Sequence, residues 1–420
     1  MTSPPSRPAW TVFALASLMF FFLNGATFTS LGVVLWTMMA ELHWTNAEAG
    51  FSFSLLGIAC GLASPLPAWM MKRYGGRWTL VAGGVALALG FFLAATASGL
   101  PMFYVAMVLL GIGYALAGNV PGVYLLAAWF PGNSSRIIGL YLMFGAFGAT
   151  AGPPVVHAIV AGTGGWRGHW QAMGWTAVTL ALLCAAFVRD RRGAVDPAAT
   201  LASTTVPDAA ALPADRRWSV REALATPQFM LVAAAMTITT ACITTNSSVT
   251  IGHLVKLGAT PAFGAVVLSL LALVATLAKG AAGRLGELMS VPHLLAGGLL
   301  AQAIGNLLLA HADTATLQYA AALVYGIGWG ISYVAATVVL LNFFGRDTGS
   351  QVLAYVWLIT TIAAAGPLVA GLIADRTGSF SPIFYLYAAL LFALTLPVFL
   401  MKAPRPRPGA ASLPTAAATR

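Results

Sequence analysis

Twelve long apolar stretches constrain this chain more than anything else in it. Their approximate limits are 10–38, 47–70, 78–98, 101–129, 135–161 and 168–188, then 227–250, 262–283, 291–311, 316–344, 349–374 and 381–401. Each is of the order of the roughly 20 residues that an α-helix needs to cross hydrocarbon. A chain in lipid must satisfy its backbone polar groups internally, so such runs fold as helices. Only 8% of the residues are charged and 59% are hydrophobic, against about 25% charged in a soluble domain. The mean hydropathy of +0.85 agrees. The expectation is an all-α membrane protein with twelve transmembrane helices.

The polar remainder sets the boundaries. Residues 1–9 form a short leading tail, 10–188 a first group of six spans, 189–226 a linker rich in Pro, Ala and Thr, 227–401 a second group of six, and 402–420 a tail of disordered composition. The first apolar run is too long for a secretory leader and more spans follow it. With both termini inside, seventeen of the 21 Lys and Arg residues fall on the inner side and three, Arg167, Lys256 and Arg376, on the outer side. That bias predicts cytoplasmic termini in the cell (inner) membrane. The same placement argues against nucleic-acid binding, because the basic residues sit in short loops and not on a soluble domain. The residue left over is Lys279, within the eighth stretch. No Asp or Glu falls mid-span.

Other chemistry is not indicated. The three cysteines, Cys60, Cys184 and Cys242, lie in apolar segments, which suits neither a disulfide framework nor a thiolate metal site. There is no Walker loop for ATP, no metal cluster, and no nucleophile–base pairing. No cofactor and no enzymatic activity are expected, so transport would draw on a gradient.

The chain also repeats itself. "GIGYALAGNVPGVYLLAAWFPG" begins at Gly111 and "GIGWGISYVAATVVLLNFFGRD" at Gly326; "GATAGPPV" from Gly148 matches "IAAAGPLV" from Ile362. The offset is 214 to 215 residues throughout. Two six-helix parallel repeats are implied.

With these features the chain resembles a major facilitator superfamily transporter over roughly residues 10–401. The family's Gly and charge loop motif after the second span of each half reads "KRYGGR" at Lys72–Arg77, with Lys72 where the family usually has Asp, and "GRLGE" at Gly283–Glu287. Within the superfamily the fourth span ending in Trp129–Phe130–Pro131, the Gly-rich fifth span and "GHLVKLGAT" at Gly252–Thr260 are similar to the monocarboxylate porter and oxalate/formate antiporter branch. So is a cation in span eight four residues before Gly283, Arg in most members and Lys279 here. The branch's tenth-span tyrosine corresponds to Tyr333; where it often has a tyrosine in mid-span four, this chain has Gly118 and Asn119.

The candidate site follows from Lys279. An intramembrane lysine costs about 2.5–3.5 kcal/mol on insertion scales. It could snorkel to the inner interface, or face a water-filled cavity and meet an anionic substrate. Thr276 shares its helical face. The resemblance favours the second alternative and implies a secondary transporter of small organic anions, monocarboxylates, working by alternating access with proton symport. Lys279 would hold the carboxylate, Asn119, Tyr333 and His253 would orient it, and Asn24 would line the site. His253 or Lys279 would carry the proton, although His253 also fits an interfacial histidine. The expected partners are a carboxylate, a proton and lipid, with the protein a monomer. Anion exchange without a proton, efflux of a hydrophobic drug or metabolite, and a non-transporting scaffold remain as rivals.

Overall fold

The computed structural model describes residues 7–131, 133–191 and 218–404. Eleven of its helices are long and apolar enough to cross a membrane, and a bent helix pair makes the twelfth span. Span one is Arg7–Leu42, span two Asn46–Leu62 with Leu66–Tyr74, span three Gly76–Ala95, span four Leu100–Trp129, span five Ser134–Thr163 and span six Trp166–Phe187. Span seven is Pro227–Lys256, span eight Pro261–Leu288, span nine Val291–Ala310, span ten Ala315–Phe344, span eleven Arg346–Thr360 continued through Gly366–Thr377, and span twelve Ser381–Phe399. The number of spans matches the sequence reading. Span one runs four residues past its expected end at 38, where nothing in the apolar pattern marks a stop. Most of the expected linker and tail lies outside the described residues. Within the linker, Val220–Leu224 is a helical turn held by a Ser219–Glu222 capping box.

The breaks inside spans have local causes. The helix of span one is interrupted at Thr27, whose hydroxyl donates to the Leu23 carbonyl at 2.7 Å. Span two bends by 48° beside Pro65. Span four breaks at Gly118, not at Pro121; Pro121 sits in the first turn of the second piece, where a missing N–H costs nothing. Span eleven tightens into a 3₁₀ turn at Thr361–Ala365.

The buried apolar side chains form two main clusters, one built almost wholly from spans one to six and one from spans seven to twelve. Glycines let the spans touch. A Cβ on Gly148 would lie 2.1 Å from the Phe21 carbonyl oxygen, so span five packs backbone to backbone on span one. Gly111 packs on the Leu56 carbonyl and Gly326 on the Leu271 carbonyl; both partners are offset by the same 215 residues. Gly330 continues the second seam, a Cβ there falling 2.4 Å from the Ala275 carbonyl oxygen.

The two halves meet at the end of the bundle opposite the chain termini, here the far end. Gly32 of span one abuts the Ser247 carbonyl of span seven, and Gly50 of span two abuts that of Pro367 of span eleven. Asp375, near the end of span eleven, caps the start of span two. Its Oδ1 accepts from the Asn46 backbone N–H at 2.9 Å and from Asn46 Nδ2 at 2.7 Å, and its Oδ2 accepts from the Ala47 N–H at 2.8 Å. The contact between spans two and eleven continues to Gly61 and Thr361 and ends where span two bends. At the terminal end, Asp190 takes up the loop left without its usual acid. Its Oδ1 accepts from the Arg77 backbone N–H at 3.1 Å, while the Arg77 guanidinium reaches the Ala185 carbonyl.

Candidate substrate site

Lys279 is carried inward by the glycine seam between spans eight and ten. Because Gly326 and Gly330 have no side chains, span ten lies close enough for its aromatic stripe to meet the lysine. The ammonium lies 3.6 Å from the Trp329 ring centroid and 4.8 Å from that of Tyr333. The two rings, one helical turn apart, stack at 5.3 Å with planes 14° apart. Trp357 of span eleven leans on Tyr333 at 5.7 Å. Lys279 is half-buried, and among the described residues the only ion pair is Arg167–Glu41 at the far end. Its ammonium is therefore placed on aromatic faces, where cation–π attraction is worth about 0.5–2 kcal/mol, and not at a helix end among carbonyls.

A cavity of about 130 Å³ opens against the same rings. Trp329, Tyr333 and Trp357 wall one side, and Thr239, Thr240 and Ile243 of span seven the other. Thr240 makes no side-chain hydrogen bond among the described residues, so its hydroxyl is available to an occupant.

The first half contributes Asn24 and a residue the sequence reading passed over, Tyr114. The Tyr114 hydroxyl donates to Asn24 Oδ1 at 3.1 Å, and Asn24 Nδ2 donates to its own helix at the Phe20 carbonyl, 2.8 Å. Asn24 thus aims the tyrosine. Tyr114 lies within electrostatic reach of Tyr333 in the other half. The repeat offset of 215 would have exposed it, since that offset pairs Tyr114 with Trp329 and Gly118 with Tyr333. Trp357 had no comparable signal, being one tryptophan among twelve.

The other expected side chains make no hydrogen bond or ring contact with Lys279, Trp329 or Tyr333 among the described residues. Asn119 is exposed at the start of the second piece of span four and makes no hydrogen bond to these groups. The Thr276 hydroxyl donates to the Ala272 carbonyl at 2.8 Å, within its own helix. His253 lies in the last turn of span seven, which runs through Lys256 and not, as expected, only to about 250. It is buried, its Nε2 is 2.9 Å from the Leu309 carbonyl, and its ring packs on Phe384. It is three residues from the far end of its span, whereas Lys279 is eighteen residues in from that end. At about 1.5 Å per residue they lie roughly 20 Å apart along the bundle. His253 is not brought to the lysine. No group of three or more His, Cys, Asp or Glu that could hold a metal occurs among the described residues.

Lys279 and its aromatic partners thus lie within a bundle of apolar helices built in two repeated halves. The sequence profile of the Major Facilitator Superfamily matches residues 17–365, and the chain belongs to that family. It is a multi-pass membrane protein of a transporter family. It is similar to the uncharacterized transporter YycB of Bacillus subtilis (strain 168), at 30% identity over 44% of this chain and 45% of that protein. It is also similar to monocarboxylate transporter 3 of Rattus norvegicus, at 27% identity over 77% of this chain and 65% of that one. The matched part thus spans less than two thirds of either relative. Among solved structures, a point mutant of the nucleoside transporter NupG superposes with a TM-score of 0.75 at 14% identity, covering 93% of this chain and 99% of that one. That likeness concerns the fold.

Proposed function

We propose that this protein moves small monocarboxylates across the cell membrane by alternating access, coupled to protons, with Lys279 as the anion's counter-charge. The observation that carries the reading is the Lys279 ammonium, held over Trp329 and Tyr333 with no carboxylate partner among the described residues. The rings offset only part of the cost of that charge in hydrocarbon. An entering carboxylate offers a charge-assisted hydrogen bond, which is stronger than a ring face. It would draw the ammonium off the rings, while its organic body enters the adjoining cavity. Tyr114, whose single O–H is given to Asn24 at rest, would turn that O–H to the anion from the first half. One cation favours one carboxylate; a second would lie unpaired among aromatic and aliphatic walls. His253 and Asn119 are not needed for this grip.

Two six-span units, 10–188 and 227–401, would rock about this site. The charge bias puts the termini in the cytoplasm, so a bundle sealed at its far end presents the site to the cytoplasm. Monocarboxylate transporters among the similar proteins support the substrate class. The test is counterflow in proteoliposomes: radiolabelled monocarboxylates should exchange against unlabelled ones, and a dicarboxylate or a neutral hydrophobic drug should not compete. Competition by the drug at the affinity of the acids would replace this reading with efflux of apolar compounds.

A further inference from the structure

The second half of the bundle contains a buried polar column that the substrate site does not use. It begins at the cavity. Gln302 Nε2 of span nine donates to Ser332 Oγ of span ten at 2.9 Å and to Thr239 Oγ1 of span seven at 3.4 Å. Both hydroxyls line the cavity beside Trp329 and Tyr333. One turn toward the far end, Asn306 Nδ2 donates to the Gln302 carbonyl at 2.9 Å, and the Asn306 side chain meets Cys242. Beyond it Asn246 lies against the Tyr325 hydroxyl without the geometry of a hydrogen bond. Thr250 stands one turn further along span seven. His253 comes last, its Nε2 donating to the Leu309 carbonyl, which leaves Nδ1 as the ring's acceptor.

These side chains are buried throughout, with Gln302, Asn306 and Asn246 wholly so. Yet six of their polar atoms make no hydrogen bond of good geometry to the protein, even with Cys242 beside Asn306 and Tyr325 beside Asn246: Gln302 Oε1, Asn306 Oδ1, both amide atoms of Asn246, the Tyr325 hydroxyl and Thr250 Oγ1. They are half of the twelve such atoms among the described residues, gathered between three neighbouring helices. At membrane depth no bulk water is at hand to satisfy such groups, so leaving them unpaired is strongly unfavourable. The set mixes acceptors with the Tyr325 and Thr250 hydroxyls, which do either, and with one group that can only donate, Asn246 Nδ2. A cation would be repelled by that donor, whereas water can both donate and accept.

We propose that this column holds a file of ordered waters and, while the cavity is occluded around its carboxylate, conducts the coupling proton between the far face at His253 and the substrate cavity. The inference rests on the proton-coupled reading above. Each water takes a proton from one neighbour and passes another onward, so one proton enters and one leaves with no bond to the chain broken. The groups facing His253 are the Leu309 carbonyl, the Phe384 ring and, on its own helix, Lys256. The proton leaves at the Thr239–Ser332 wall, within reach of a carboxylate held at Lys279.

The test uses the full chain in proteoliposomes with Asn246→Leu and Asn306→Leu, which replace each amide by an apolar group of similar size. Uptake driven by a pH gradient should fall at least tenfold, while counterflow at equal pH stays within twofold of wild type. Gradient-driven uptake that keeps pace with counterflow in both variants overturns the proposal. If both variants lose both activities, hydroxyl-radical footprinting of the wild type decides. Tyr325 should be labelled well above Tyr141, which is as buried but donates its hydroxyl to the Gly118 carbonyl; equal labelling overturns the water file. A wild type that shows counterflow but ignores the pH gradient sinks the symport reading itself, and leaves the Lys279 reading standing.

Discussion

Replacing Asp375 with asparagine isolates the contact that closes the far end. The carboxylate accepts three hydrogen bonds from Asn46 and Ala47 across the seam between the halves. An amide can keep Oδ1 toward Asn46, but its NH₂ then faces the Ala47 N–H, donor against donor. One charge-assisted bond is lost, worth about 1.5 kcal/mol or more, together with the attraction of an anion to a helix N-terminus, about 0.3–1 kcal/mol. In the opposite conformation that alternating access requires, the two halves would part here, and the side chain would meet water as acid or amide alike. The whole difference of about 2 kcal/mol therefore falls on the far-closed state, a shift of roughly 30-fold in the balance at about 1.4 kcal/mol per tenfold. The assay is pulsed electron–electron distance measurement. Spin labels would be placed at Ala161→Cys and Thr316→Cys, both exposed near the far end, with Cys60, Cys184 and Cys242 changed to serine. Asp375→Asn should move the distance distribution toward the longer separation. A distribution identical to that of the parent would refute the capping argument.

Other expectations follow from the same contacts. Tyr114→Phe removes the hydroxyl that Asn24 aims; at about 0.5–1.5 kcal/mol for a neutral hydrogen bond, the KM for carboxylates should rise a few-fold to tenfold with little change in maximal rate, as read by initial-rate uptake. Gly330→Val places a side chain 2.4 Å from the Ala275 carbonyl oxygen. It should push spans eight and ten apart, cost roughly 1–3 kcal/mol of stability, and lower the melting temperature of the detergent-solubilised protein. Counterflow by such protein as does fold should also fall, because Lys279 moves with span eight.

The sequence made the spans legible because hydrocarbon imposes one requirement, a run of about 20 apolar residues, and this chain meets it twelve times. It made the repeat legible because Gly111 and Gly326 solve the same packing problem 215 residues apart. Lys279 stood out as the one basic residue not accounted for by loops. The neighbours of Lys279 were harder to read. Trp329 and Tyr333 lie four residues apart on one helical face, but nothing in a helical period says whether aromatics face lipid, a packed core or a cation. Tyr114 was overshadowed by Asn119, which looked the more polar and is exposed, while the tyrosine five residues earlier, before the break at Gly118, bonds inward to Asn24. His253 was assigned to the substrate through the resemblance; its ring lies inside the second half against the Leu309 carbonyl and the Phe384 face, away from Lys279. The Asp375 cap and the buried column depend on helices far apart in sequence, and no local pattern announces either.

The account stands most directly on the charge at Lys279. Saturable uptake of a monocarboxylate should be compared between wild type, Lys279→Arg and Lys279→Gln at matched protein levels in proteoliposomes. The account predicts that Lys279→Gln reduces uptake at least a hundredfold, as expected for losing the counter-charge of a desolvated carboxylate at about 3 kcal/mol. Lys279→Arg, which keeps the charge over Trp329 and Tyr333, should retain part of it. Wild-type uptake by Lys279→Gln would contradict the account.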